Sequence, residues 1–303
     1  MTRIFDDTSL GSLELFCLTA ELKSFSGAAV AAGVTPAAVS RTVARLEKKL
    51  GARLLVRTTR AVRLSEEGRH YYDSCRQALG QLAEAERALH GDASDPSGTV
   101  RMSLPTSYGH HRVFPVLAEF RQRYPRVALE LQVTNRNVDF ASEGFDLAIR
   151  GRAPPDSGLV ARKLEDAPLV VVASPSYLRR KGTPRSIDDL QGHDCIHFAL
   201  PSTGQTVPWL FKVGSDTVER TFPGSMLCQE DILALGSLAL GGAGLVQTYQ
   251  FIVDSDIRAG RLKPVLRRFE GASRPFSLLY PANRFLPQRV RVLVDFLVRR
   301  LAA

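Results

Sequence analysis

The four residues Gly33, Val34, Thr35 and Pro36 constrain this chain more than any others. Glycine tolerates the left-handed backbone conformation that ends one helix, and threonine offers a side-chain oxygen to the free amides that open the next. Proline fits the first helical position, because the N–H it lacks would have no intrahelical partner there. Two helices therefore meet at a short turn, which Val34 is placed to fill. Upstream, Leu13, Phe16, Cys17 and Ala20 form an i, i+3, i+4, i+7 stripe after Ser12, and Ser26 is placed to cap a short alanine-rich helix over 27–32. Downstream, Val39, Val43, Leu46 and Leu50 share one face of a helix over 35–50, while Ala37, Arg41, Ala44, Arg45 and Lys48 share the opposite face.

Charge gives that second face a meaning. The chain carries 40 basic and 31 acidic residues, a net +9, and such an excess implies a polyanionic partner only where it is clustered. Between Arg41 and Arg63 stand Arg41, Arg45, Lys48, Lys49, Arg53, Arg57, Arg60 and Arg63, opposed by Glu47 alone. A helix-turn-helix needs small and basic residues on the outer face of its second helix, since bulky apolar groups would block approach to base edges. The segments 54–56 and 61–64 read as two short strands around Arg57, Thr58, Thr59 and Arg60, a wing whose tip could reach a minor groove or phosphates. The expected partner is double-stranded DNA, and the expected contact set is Ser26, Thr35, Pro36, Ala37, Ala38, Ser40, Arg41, Thr42, Arg45, Arg57, Thr58, Thr59 and Arg60.

Ser65, followed by Glu66 and Glu67, opens a further helix that runs to about Leu89. Tyr72, Cys75, Leu79, Leu82 and Leu89 make a 3-4 seam broken by Glu86; it suits a coiled coil between two subunits, or a helix lying on its own domain. The polar stretch 91–98 reads as a hinge. Beyond it Val100, Met102 and Leu104 alternate as a strand, Phe114, Leu117, Phe120 and Tyr124 follow at helical spacing, and Val127, Leu129, Leu131 and Val133 alternate again, a βαβ unit. Further strands are expected over 147–149, 169–173, 196–198 and 245–247, in a mostly parallel sheet, with a closing helix over 288–301.

The run SFSGAAVAAGVTPAAVSRTVARLEKKLGARLLVRTTRAVRLSEEG resembles the DNA-binding module of the LysR-type transcriptional regulators. The stretches GFDLAIRGRAPPDSGLVARKL and LVVVASPSYL resemble that family's effector domain, so the likeness covers nearly the whole chain. It implies an α+β multidomain architecture: a winged helix-turn-helix over 1–64, a dimerisation helix over 65–90, the hinge over 91–98, and a two-lobed α/β domain over 99–303 similar to type 2 periplasmic binding proteins. The first lobe would hold about 99–164 and 267–303, the second about 165–266. The resemblance further implies a homodimer through the linker helix, a homotetramer, and a palindromic DNA target. The family often carries glutamine where this chain has Pro36 and Thr42, which shifts base reading onto Ala37, Ala38, Ser40, Arg41, Thr42 and Arg45.

Ligands of such folds bind beyond the carboxyl ends of strands, where Thr106 and Ser107 follow Pro105. By similarity the cleft would also involve Asn135, Arg136, Arg150, Phe198, Gln229, Gln247, Thr248 and Tyr249. Hydroxyls, amides and an arginine point to an organic anion, a carboxylate above all. The expected function is thus DNA-binding regulation by a small effector. An effector-independent architectural DNA binder and a small-molecule enzyme with an accessory DNA-binding module are the alternatives. Against the enzyme, the chain has no GxSxG, HExxH or P-loop, and Gly241, Gly242 and Gly244 lack nucleotide-loop spacing. No cofactor is called for.

His193, Cys195 and His197 would share one side of an extended segment, the pattern of a metal or Cys/His site, but no orienting third group accompanies them. The four cysteines, Cys17, Cys75, Cys195 and Cys228, lack the close pairing of a disulfide framework, with Cys195 and Cys228 as the redox candidates. The start MTRIFDDTSL has no apolar signal core, so a cytoplasmic location is expected. The uncharged run over 232–253 is interrupted by four glycines and reads as a buried helix, a turn and a strand rather than a membrane span. If Arg41 reads a base, Arg41→Ala relaxes sequence preference and costs about 1–3 kcal/mol on the preferred site; binding titrations in which every sequence weakens equally would make it a phosphate contact instead.

Overall fold

The computed structural model describes residues 9–57, 62–89, 96–151, 158–282 and 286–302. The chain divides into two compact units, one of Met1–Asp95 with Asp139–Gly144, the other of Pro96–Val138 with Phe145–Ala303. In the first, α1 (Leu10–Leu22), α2 (Phe25–Ala32) and α3 (Pro36–Leu50) pack around Phe16, Ala28, Ala29, Val39, Val43 and Leu46. Strands β1 (Leu55–Arg57) and β2 (Val62–Leu64) pair antiparallel, and α4 (Glu66–Leu89) follows.

The caps differ in part from expectation. Ser9 rather than Ser12 opens α1, its oxygen accepting from the Ser12 amide, and Ser24 rather than Ser26 caps α2 by accepting from Gly27 N at 3.1 Å. A serine run offers several acceptable caps, and the one whose backbone is extended wins. Thr35 caps α3 by accepting from Ala38 N at 3.2 Å, and Gly33 closes α2 at φ 66°. Val34 and Leu50, expected in the core, are instead exposed.

The first half of α4 lies on its own domain. Tyr71 and Tyr72 meet Phe16 with ring centres 5.8 and 6.4 Å away, Cys75 is buried, and Leu79 packs on the same core. Glu21 accepts from Tyr72 Oη at 3.1 Å and pairs with Arg76 at 2.9 Å. Three of the five seam residues are therefore used within the chain, and the next seam residue, Leu82, is 45% exposed.

The second unit holds β3 (Gly98–Leu104), α5 (Thr106–Tyr108), a π-helical turn (Gly109–Val113), α6 (Phe114–Arg123), β4 (Val127–Val133) and β5 (Leu147–Arg150); α7 (Phe140–Glu143) falls in the segment grouped with the first unit. There follow β6 (Leu159–Ala173), α8 (Pro175–Lys181), β7 (Cys195–Phe198), β8 (Trp209–Val213), β9 (Asp216–Arg220) and β10 (Met226–Cys228). The last elements are α9 (Leu233–Leu240), β11 (Leu245–Tyr249), α10 (Gln250–Arg258), β12 (Lys263–Val265), β13 (Ser273–Pro281) and α11 (Gln288–Leu301).

The main sheet runs β10-β7-β11-β6-β13-β5-β3-β4, with β12 beside β6. Its two ends are parallel, β3 with β4 and β5, and β7 with β10 and β11. The centre is antiparallel, because β6 and β13 run against each other and against their outer neighbours. The sheet is therefore mixed, not mostly parallel. Two lobes result, one around β3, β4 and β5, the other around β7, β10 and β11, joined through the long strands β6 and β13. The 232–253 run folds as α9, a glycine turn and β11, where Gly244 is obligatory: a Cβ there would lie 2.1 Å from the Asp194 carbonyl oxygen.

Gly68 is a second site where only hydrogen fits. A Cβ on it would stand 1.9 Å from the carbonyl oxygen of Leu54, against which the start of α4 is packed. Gly68→Ala is expected to destabilise the first unit by about 2–3 kcal/mol; chemical denaturation showing an unchanged midpoint would mean that this packing is loose.

Candidate nucleic-acid interface and effector cleft

Helix α3 presents Pro36, Ala37, Arg41, Ala44, Arg45, Lys48 and Lys49 to solvent and buries Val39, Val43 and Leu46, while Ala38, Ser40 and Thr42 are half-buried and Ser26, on α2, is exposed. The outward face is thus small residues near the N-terminus and cations further along, free of bulky apolar groups. Thr58, Thr59 and Arg60, expected at the wing tip, lie outside the described residues, as does most of the expected hinge. The strand register sets Arg57 opposite Val62, the last described pair before that tip.

Glu47, the lone acid of the basic segment, has its own task. Its Oε1 accepts from the amides of Leu54 at 2.8 Å and Leu55 at 2.9 Å, which ties the first wing strand to α3. Ser65 completes the frame, donating to Arg53 O at 2.5 Å and accepting from Gly68 N at 2.8 Å. Counting charge flagged Glu47 as an exception; only the fold shows that it holds α3 and the start of the wing together.

In the second unit, the carboxyl ends of the two parallel half-sheets converge. From the first lobe come Thr106 and Ser107 after β3, Asn135 and Arg136 after β4, and Arg150 at the end of β5. From the second come Phe198, level with Cys228 in the register of β7 and β10, then Gln229, and Thr248 on β11. Asn135 joins the sides: Oδ1 accepts from Thr106 N at 3.2 Å, and Nδ2 donates to Thr106 Oγ1 at 3.3 Å and to the carbonyl oxygen of Glu230. Glu230 itself was not legible, because a backbone contact leaves no side-chain signature.

The expected residues do different things. Arg150, 6% exposed, donates to Ser103 Oγ at 2.7 Å and to the carbonyls of Ile149 at 2.6 Å and Arg136 at 2.8 Å, so its charge is fixed against β3 and the residue that follows Asn135. Arg136 is exposed. The Gln247 amide is engaged elsewhere: Oε1 accepts from Leu210 N at 2.8 Å and Nε2 donates to Leu210 O at 2.7 Å, as a strand neighbour would. Tyr249 stacks on Phe251 at 5.3 Å beside Phe276, and burial pushes its phenol up to about 12. Ser107 and Thr248 are buried, and Thr248 Oγ1 has no partner among the described residues.

Behind the cleft, Tyr108 lies 4.2 Å from Phe276 and edge-on to Phe251, Arg112 sits 4.7 Å over Phe251, and Arg112 pairs with Glu165 at 2.9 Å. The cluster links the π-helical turn of one lobe to α10 of the other across β6 and β13.

The Cys/His segment resolves into separate structural contacts. His193 meets Tyr177 Oη at 3.1 Å and His197 meets Phe222 O at 2.9 Å, and no group of metal-holding side chains exists among the described residues. Burial pushes the Cys195 thiol up to about 12 and raises that of Cys228, the opposite of what a reactive thiolate needs. No helix of the described chain is long and apolar enough to cross a membrane.

A helix-turn-helix unit with an outward basic helix, followed in the chain by a two-lobed domain whose parallel half-sheets meet through Asn135 and Glu230, is the build of a ligand-responsive transcription factor. Residues 10–69 match the family described as bacterial regulatory helix-turn-helix protein, lysR family, and residues 93–302 match the LysR substrate binding domain. The HTH-type transcriptional regulator CrgA of Neisseria meningitidis serogroup B is 35% identical over 295 residues, covering 97% of each chain. An HTH-type transcriptional regulator of Xanthomonas campestris is 36% identical over 304 residues, covering 99% of this chain and 86% of the relative. The solved structure of the Neisseria meningitidis CrgA, a LysR-type transcriptional regulator, superposes with a TM-score of 0.61 at 33% identity over 98% of this chain and 100% of that one. The chain belongs to the LysR family of DNA-binding transcriptional regulators and is not an enzyme.

Removing the Glu47 carboxylate leaves two amides of the wing without their acceptor. Glu47→Ala is expected to cost about 1–3 kcal/mol of stability and to weaken DNA binding, with Glu47→Gln retaining most of both. Denaturation and DNA titration of the pair measure this, and equal behaviour of Ala and wild type would remove Glu47 from the interface's support.

Proposed function

We propose that this regulator binds a palindromic DNA site as a homodimer and changes its grip on that site when a small organic anion enters the cleft between its lobes. The observation that supports the anion is the buried Arg150 guanidinium, bonded to the carbonyl of Arg136, the residue after Asn135. A fixed cation in a site partly shielded from water favours an acceptor carrying negative charge, and a carboxylate is the smallest common group that fits. Ser107 and the unpartnered Thr248 hydroxyl add hydrogen-bonding capacity, and Phe198 an apolar wall.

The dimer rests on α4. Its first half is committed to its own domain, so the self-association surface is the part from Leu82 onward, which pairs with the same stretch of a second copy. Two such copies present two α3 helices to successive major grooves, and two dimers build the tetramer. On DNA, Arg41 and Arg45 read bases while Arg57 and the wing tip contact phosphates. The protein works in the cytoplasm, where its target lies.

Two measurements test this reading. In thermal unfolding of the full-length protein, a panel of small carboxylates should contain members that stabilise it by about 2–3 kcal/mol at a hundredfold excess over their dissociation constant, with the matching primary amides inactive; a panel in which amides do as well, or nothing binds, defeats the anion. In sedimentation, Leu82→Glu should shift the protein toward monomer, and an unchanged mass would place the dimer contact elsewhere.

A further inference from the structure

The cleft edge is already occupied, by the protein itself. The orientation of the Asn135 amide is fixed by its partners: Thr106 N can only donate, so Oδ1 faces it, and the Glu230 carbonyl can only accept, so Nδ2 faces that. Asn135 belongs to the lobe of β3, β4 and β5, and Glu230 follows β10 in the other lobe, so this one amide spans the two. Glu230 adopts φ 63°, a left-handed conformation that disfavours a non-glycine residue. The turn around it is held locally, with Asp231 N donating to Gln229 O at 2.6 Å and Leu233 N to Asp231 Oδ1 at 3.0 Å. A strained residue thus delivers a peptide carbonyl to a donor that the cleft would otherwise offer to a ligand.

We infer that the Asn135–Glu230 contact is an autoinhibitory clasp, in which the Glu230 carbonyl stands in for the acceptor oxygen of the effector and is displaced by it. The inference rests on reading this cleft as the effector site. It narrows the effector to a molecule that presents an acceptor oxygen to Asn135 Nδ2; a ligand with donors only cannot release the clasp. Release removes the contact with the other lobe and leaves the strained turn held by its local bonds alone, which lowers its protection. Aspartate cannot replace Asn135, because a carboxylate keeps the Thr106 contact but repels the Glu230 carbonyl.

Hydrogen exchange of the full-length protein, free of DNA, tests this. Exchange over 229–233 should rise about fivefold in both Asn135→Asp and Asn135→Ala. The Ala199 amide, bonded to Cys228 O at 2.8 Å, should stay as protected as in wild type, which shows that the neighbouring strands remain folded. In wild type, sodium acetate should raise exchange over 229–233 and ethylammonium chloride at equal ionic strength should not, and both variants should ignore acetate. Unchanged exchange in the two variants overturns the clasp. If acetate protects Thr106 while 229–233 stays closed, the effector cleft stands and the clasp falls. If the variants open but acetate and ethylammonium act alike, the acceptor requirement falls with the clasp intact.

Discussion

The paired hydrogen bonds from Leu54 N and Leu55 N to the Glu47 carboxylate are the contact on which the DNA-binding unit depends. A recognition helix and a wing contact a duplex together only if their separation is fixed, and neither α3 nor a two-stranded ribbon with three residues per strand fixes it alone. Glu47 provides that rigidity from the helix side, and the Ser65 and Gly68 contacts with 53–54 provide it from the α4 side. Glu47 stands in the most basic stretch of the sequence, and its charge is turned toward backbone amides. The basic helix and the wing therefore have their mutual support built in.

In the second unit the equivalent constraint is the pair β6 and β13. They run antiparallel across the centre of the sheet with a register shift at Phe276 and Ser277; β13 continues the sheet to β5 and β6 continues it to β11, so their pairing joins the lobes. Behind them the Tyr108, Phe251 and Phe276 rings and the Arg112–Glu165 pair pack lobe to lobe, and in front the Asn135 amide reaches Glu230. A change of angle between the lobes would alter both contacts at once.

Much of this was legible in the sequence, for identifiable reasons. The Gly33 to Pro36 turn and the α3 faces were plain because cap chemistry and helical periodicity agree. The closing helix, 288–301, was equally clear. Strand β13 was not, since Phe276, Leu278 and Leu279 are all buried and it shows no alternation, and the first ten residues of β6 were hidden by Arg162, Lys163, Glu165 and Asp166 on a partly solvated ribbon. Within the cleft, residue type pointed to the right neighbourhood but not to the partner: Gln247 is engaged by the Leu210 backbone and Arg150 by carbonyls, facts that depend on tertiary neighbours. Ser24 displaced Ser26 as a cap for a local reason, the extended backbone two residues earlier.

The central claim is that α3 and the wing, doubled by symmetry, read a specific DNA site. Footprinting of the full-length protein on the DNA flanking its own gene tests it most directly. The account predicts two inverted half-sites whose centres are separated by whole helical turns of about 10 base pairs, both lost together when Arg41 and Arg45 are replaced. Protection that spreads evenly along the DNA with rising protein concentration and shows no half-sites would contradict it.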